Sequence, residues 1–198
     1  MLKVLASLLL PACVAVCADG SKWSISDQEK FLKTARVVEI TDAGKGYTKS
    51  QKAMLDDGKR KHMAHLQTVD RYKAEFHGTD GSFEKDFKDS WKFNVAGWRL
   101  AKMLGLSDMV PPSVSRVVEG KPGSLTWWID GIKMDEQYRR DNKIEPPDKD
   151  RWRRQMATIR VFDQLIHNMD RNQENILIAE DWHVWMIDHT RAFRKATT

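Results

Sequence analysis

Cysteine is nearly absent from this chain: Cys13 and Cys17 are the only two, both within the first eighteen of 198 residues. Such a pair can build neither a disulfide scaffold nor a four-cysteine zinc site. No apolar run reaches the ~18–20 residues needed to span a bilayer, which excludes a polytopic membrane protein. There is no low-complexity tract and no internal repeat. With 41% hydrophobic residues and eight Trp, a disordered or collagen-like chain is excluded and a packed core is expected. The chain also has no Gly-x-Ser-x-Gly, Walker loop or His-Glu-x-x-His, so serine-hydrolase, P-loop and common zinc-protease chemistry lack support. Neither sign of charge dominates. The 33 basic and 28 acidic residues are interspersed, giving a net +5 that hints at anionic partners; no nucleic-acid partner is expected.

Residues 1–18 have the layout of a secretory signal peptide. Lys3 gives a positive start, residues 4–10 an apolar run, and Val16 and Ala18 the small residues before Asp19. A buried N-terminal helix is the plain alternative, and Pro11 and the loss of helical periodicity argue against it. A second route to export is a lipid anchor at Cys13, since Leu10-Pro11-Ala12-Cys13 loosely matches a lipobox. Cleavage after Ala18 would leave a mature, exported chain with no thiol and no transmembrane span.

After an N-terminal extension (19–34), residues 35–41, 51–55 and 62–69 read as three strands. Gly44 and Gly46 lie in the first turn and Asp57-Gly58 in the second. A helix is expected from Ser82, its N-cap, to Gly105, with Phe87, Trp91, Val95 and Trp98 at steps of four, four and three. Asn94 sits in that apolar stripe, so its amide needs a partner. Pro111-Pro112 stops the helix, and residues 113–118 and 124–129 form two more strands. Of Trp127 and Trp128, one ring must face the core and the other a cleft or solvent. Beyond Asp130-Gly131 the chain turns charged and helical. Pro146-Pro147-Asp148 opens a second long helix, on which Arg151, Arg153, Arg154 and Arg160 read as a solvated face. His62, His65 and His77 make a poor zinc set, because His62 and His65 point to opposite faces of one strand.

The tail carries the chemistry. A helix ends in a polar loop bearing Asp170 and Asn175, and the loop feeds a hairpin that turns at Glu180-Asp181 and ends at Asp188. The hairpin returns Asp188 beside the loop, and three oxygen-bearing side chains then suit a hard cation holding a phosphate. His167-x-x-Asp170-x-x-x-x-Asn175, the hairpin and Ile187-Asp188-His189 resemble the catalytic loop and metal-binding Asp of the protein-kinase-like fold. The resemblance is to its atypical members: phosphatidylinositol 3- and 4-kinases, HipA-like bacterial kinases and secretory-pathway Golgi kinases. Residues 98–106 with Val110-Pro111-Pro112 extend it backward at lower strength.

The resemblance implies an α+β bilobal fold, with an antiparallel N-lobe over 35–129 and a C-lobe from 130 to 198. It implies an ATP- and Mg²⁺- (or Mn²⁺-) dependent kinase acting on a hydroxyl of a protein, lipid head group or sugar. Asp170 would be the catalytic base, Asn175 and Asp188 the metal ligands, and Gly44 and Gly46 the close backbone approach to the nucleotide's phosphates. Two departures stand out. Alignment of the third strand and the following helix sets Gln67 and Asn94 where such kinases carry a Lys–Glu pair, and the two amides could hydrogen-bond to each other. That raises a second reading, a pseudokinase-like module that binds a nucleotide or a partner without catalysis. Only ten residues follow Asp188, so a short or truncated C-lobe is expected, with one apolar face of the hairpin left uncovered.

Overall fold

The computed structural model describes residues 23–42, 50–78, 81–168 and 170–194. Residues 1–18, expected to be a signal peptide, with Cys13, and likewise Gly44 and Gly46, lie outside the described residues. Among the described residues the fold is α+β, with antiparallel sheets and four α-helices.

Five strands form one antiparallel sheet in the order β1-β2-β3-β7-β6: β1 Arg36–Asp42, β2 Gln51–Asp56, β3 Lys61–Gln67, β6 Ser113–Val118 and β7 Lys121–Trp127. The β2–β3 turn uses Gly58 at φ 86°, a left-handed backbone that favours glycine. Alternation fixes the faces of β3: Ala64 and Leu66 are buried with Ala53, Leu55, Leu125 and Trp127, so His65 and Gln67 point the other way. The first face is covered by α1, Ile25–Thr34, within the segment read as an extension. Ser24 caps it through Asp27 N–H, and Phe31 and Leu32 are its buried residues. Trp127 faces this core, stacked 3.7 Å from His62, whereas half-buried Trp128 lies under Lys52 on the opposite face.

The helix expected from Ser82 is wrong in its first third. Phe83–Ser90 is a strand, β5, paired with Asp70–His77, β4. The helix α2 is Trp91–Met103, capped by Ser90. Phe87 and Trp91 stand four apart by coincidence of a strand ending where a helix begins. Phe87 and Asp89 belong to a two-residue period that buries both. Strand β4 is exposed along most of its length, so its composition carries no apolar pattern to read. Phe76 stacked on Phe87 at 4.2 Å and the Ser90–Asp70 hydrogen bond at 2.8 Å fix the pairing.

Strand β8 (Ile132–Asp135) joins β9 (Ile176–Ala179) and β10 (Val184–Met186) in a three-stranded sheet. Helix α3 is Glu136–Asp141. Helix α4 is Lys149–Leu165, capped by Asp148 after the two prolines. The expected uncovered hairpin face is also a miss. Ile176, Ile178, Val184 and Met186 are all buried, at 0–1% exposure. Ile176, Val184 and Met186 share a core with Met156, Ile159 and Phe162 of α4, with its C-cap Ile166, and with Trp98, Met109 and Val110. Alternation sends one face of each strand to α4, and the α2–β6 junction closes the other side. Among the described residues no helix is long and apolar enough to cross a membrane.

Local contacts can be tested at two positions. Ser90→Ala removes both the cap on Lys92 N–H and the bond to Asp70, and should cost about 1–2 kcal/mol in urea denaturation. Glu136 is 1% exposed. Burial pushes its carboxyl up, but the hydrogen bonds and charges of Arg139 and Arg140 outweigh this and hold it below the usual range. The folded protein therefore binds this proton more weakly than the unfolded chain. The associated stability is present above about pH 4.3 and is lost as pH falls below it. Glu136→Gln should flatten that acid limb in a series of melting curves.

Candidate active site

Helix α4 stops at Leu165, and His167 at φ 49° turns the chain into the loop. Arg171 organises that loop. Its guanidinium forks Asp163 of α4, Nη2 to Oδ1 at 2.8 Å and Nε to Oδ2 at 3.0 Å, with both side chains 10% exposed. Nη1 donates to the carbonyl of Ile187 at 2.5 Å and reaches that of Asn175 at 3.4 Å. Asn168 completes the anchor, donating to Asp163 Oδ1 at 2.9 Å. One buried cation thus ties the helix, the loop and the end of β10 together.

Asn172 caps a 3₁₀ turn, Gln173–Asn175, which leads into β9. Met186 pairs with Ile176, and Ile187 N–H donates to Asn175 carbonyl at 3.1 Å, which extends the ladder by one residue. Asp188 is therefore the next residue after the one opposite Asn175. Asp188 has φ 52°, and its Oδ1 accepts from Thr190 N–H at 3.2 Å and Thr190 Oγ1 at 2.9 Å. Asp170 is exposed at the loop's start, its Oδ2 3.9 Å from Arg191 Nε. Arg191 in turn pairs with Glu84 of β5 at 2.5 Å and lies over the Phe87 ring at 4.2 Å.

Gln67 and Asn94 meet this region from the sheet and from α2. Gln67 is the register partner of Ser124, and Asn94 Nδ2 lies 3.5 Å from Ser124 Oγ. Their amide oxygens are committed elsewhere. Gln67 Oε1 accepts from Thr68 and Val69 N–H at 3.0 and 3.1 Å. Asn94 Oδ1 accepts from His189 N–H at 2.7 Å, so the polar residue in the apolar stripe holds the backbone just beyond Asp188. At Gly97, one turn along α2, an added Cβ would lie 3.2 Å from His189 Cγ. The His189 ring is buried with Nε2 unpartnered, and burial, then the charge of Arg171, pushes its pKa well below the ordinary value.

Sequence reasoning missed two groups here. Asp89, at the end of β5, is 4% exposed, and its Oδ1 has no partner among the described residues. Burial pushes its carboxyl up and the Asp188 charge adds to this, against the Thr190 hydroxyl and the cations Arg191 and Arg71. The alternation of Phe87 with Asp89 would have exposed it had the segment been read as a strand. His65 faces the same region from β3 and contacts Ser50 Oγ. Burial pushes its pKa down, while the charge of Asp188 opposes the shift.

Among the described residues no three His, Cys, Asp or Glu side chains are grouped to hold a metal. The expected set combines two carboxylates with one amide. The orphaned, buried carboxylate oxygen of Asp89 beside Asp188 fits a cation, since an unpaired anion there is costly. No family model matches the chain, and no curated protein is detectably similar to it.

Replacing Arg171 by Leu strands the buried Asp163 charge and leaves the Ile187 carbonyl without its guanidinium donor. It should destabilise the protein by about 3–5 kcal/mol in chemical denaturation, and the double change Arg171→Leu with Asp163→Leu should recover much of that.

Proposed function

We propose that the chain is an exported ATP-dependent phosphotransferase of protein-kinase-like fold, acting with Mg²⁺ or Mn²⁺ on a hydroxyl of a protein, lipid head group or sugar. The observation that carries this reading is the backbone bond between Ile187 and Asn175, which sets Asp188 beside the loop of Asp170 and Asn175. An antiparallel sheet with a helix between its third-strand hairpin and its last two strands also supports it.

In this reading Asp170, exposed at the rim, orients the acceptor hydroxyl and takes its proton. Asn175 and Asp188 would hold the metal ion, with Asp89 as an additional acidic side chain. The metal would screen the phosphates during transfer. Arg191, whose Nε is buried without a hydrogen bond, is a cation at the same rim and can oppose charge on a transferring phosphoryl group.

The second reading, a nucleotide- or partner-binding module without catalysis, rests on Gln67 and Asn94. Neither amide supplies the charge of a Lys–Glu pair, and their oxygens are already engaged. Incubation with labelled ATP and Mg²⁺ or Mn²⁺ separates the two. Label transfer that falls at least about a hundredfold in Asp170→Ala and in Asp188→Asn identifies the enzyme. A nucleotide-dependent thermal shift without transfer identifies the nucleotide-binding module, and neither signal would sink both the enzyme and that module.

A further inference from the structure

The sequence pattern assigns the arginines of α4 to a solvated face, yet two of them turn toward α3. Between the two helices lies a cavity of about 300 Å³, lined by Glu136, Arg139, Arg140, Trp152, Arg153, Met156 and Arg160. That volume is at the lower end of the range of small-molecule sites. We propose that this cavity binds an organic phosphate, through a site separate from that of Asp170 and Asp188.

Four guanidinium groups surround one carboxylate. Glu136 forms the floor, pairing with Arg139 at 2.6 Å and with Arg140 at 2.7 Å. Arg139 is itself fixed: its side chain is 13% exposed, it donates to Ile144 carbonyl at 2.7 Å and it lies over the Trp152 ring at 5.0 Å. These contacts use up Glu136 and Arg139 and hold the cavity open. Arg140 engages Glu136 through Nε, which leaves its terminal nitrogens to face an incoming anion. The Arg160 guanidinium has no ion pair or hydrogen bond among the described residues. Arg153 pairs with Asp150 at 3.0 Å, both about three-quarters exposed, a contact weak enough to yield.

Three guanidinium groups on two helices thus line one space in which Glu136 is the one acidic lining residue, while Asp150, outside the lining, pairs with Arg153. Their mutual repulsion is relieved by a multivalent anion, and arginine forks match the oxygens of a phosphate. Trp152 and Met156 supply an apolar wall on the same cavity. A phosphate ester with an apolar or aromatic body therefore fits better than the free ion.

Titration calorimetry at fixed ionic strength, without nucleotide or metal, tests this with phenyl phosphate, inorganic phosphate and phenylacetate. Phenyl phosphate should bind saturably and at least tenfold more tightly than either of the others. Arg153→Gln with Arg160→Gln, both at exposed positions, should weaken it at least tenfold with an unchanged melting temperature. Arg160→Gln alone, at an exposed position, gives the same direction should the double variant fold poorly. Asp188→Ala should bind as the parent does, which separates this site from the proposed catalytic one. Equal affinity for phenyl phosphate and phenylacetate, or no loss in the arginine variants, would overturn the proposal and leave a solvated basic face. Inorganic phosphate binding as tightly as phenyl phosphate would overturn the assignment of an organic ligand.

Discussion

The pairing of Arg171 with Asp163 is the constraint on which the loop, the hairpin and the candidate site depend. Both side chains are 10% exposed, and removing two charges from water costs several kcal/mol each. The geometry offsets this with a fork to the carboxylate and with two carbonyl acceptors, of which that of Asn175 also takes Ile187 N–H. Those carbonyls belong to Asn175 and Ile187, residues on opposite sides of the β9–β10 ladder. One planar group of fixed shape therefore sets how closely the loop approaches the strand end. An ammonium has no planar fork and could not bind the carboxylate bidentately while also reaching both carbonyls.

The segment after Ile187 is held from the other side. Asp188 sits in the left-handed region, where an Asp is tolerated but disfavoured, and such a conformation persists only when its surroundings over-determine it. Here Thr190 binds the side chain through both its N–H and its hydroxyl, and Asn94 binds the next N–H. Helix α2 approaches closely because Gly97 leaves room for the His189 ring. Ser90, the cap of that helix, also donates its N–H to Thr190 carbonyl at 2.9 Å. A movement of α2 would therefore be felt at Asp188, the coupling expected wherever a helix sets the orientation of a site carboxylate.

Much of this arrangement was legible in the sequence, and the parts that were not have identifiable causes. The hairpin ending at Asp188 could be read because Ile176, Ile178, Val184 and Met186 alternate cleanly around the Glu180-Asp181 turn. The opening of α4 at Pro146-Pro147-Asp148 was equally plain. The β4–β5 hairpin was hidden because its strands bury little and its stabilising contacts are non-local: Tyr72 to Asp86, Phe76 to Phe87, Ser90 to Asp70. Long-range pairing of polar strands leaves no local periodicity. Misreading that segment also concealed Asp89. Arg171 stood in plain view beside Asp170, but only the fold reveals that its partner is eight residues back, on α4.

The charge balance at the site has its origin in the same geometry. The sheet and α2 present two amides here, Gln67 and Asn94, so no cation reaches the region from β3 at Gln67. The positive charge comes instead from Arg191, downstream of Asp188, and from Arg71 on β4, both of which oppose the rise in the Asp89 carboxyl. The β4–β5 hairpin is therefore not a neutral insertion. It delivers Asp89 at one end and, through Glu84, holds Arg191 in position. Burial and then the charge of Asp188 disfavour ionisation of Asp89, whose Oδ1 has no partner among the described residues. Arg191 is already shared among Glu84, Asp170 and the Phe87 ring, and it cannot also saturate Asp89. A divalent cation would satisfy both carboxylates at once. The unfilled valence of Asp89 is thus the strongest physical reason to read this end of the sheet as a site rather than as a packed corner.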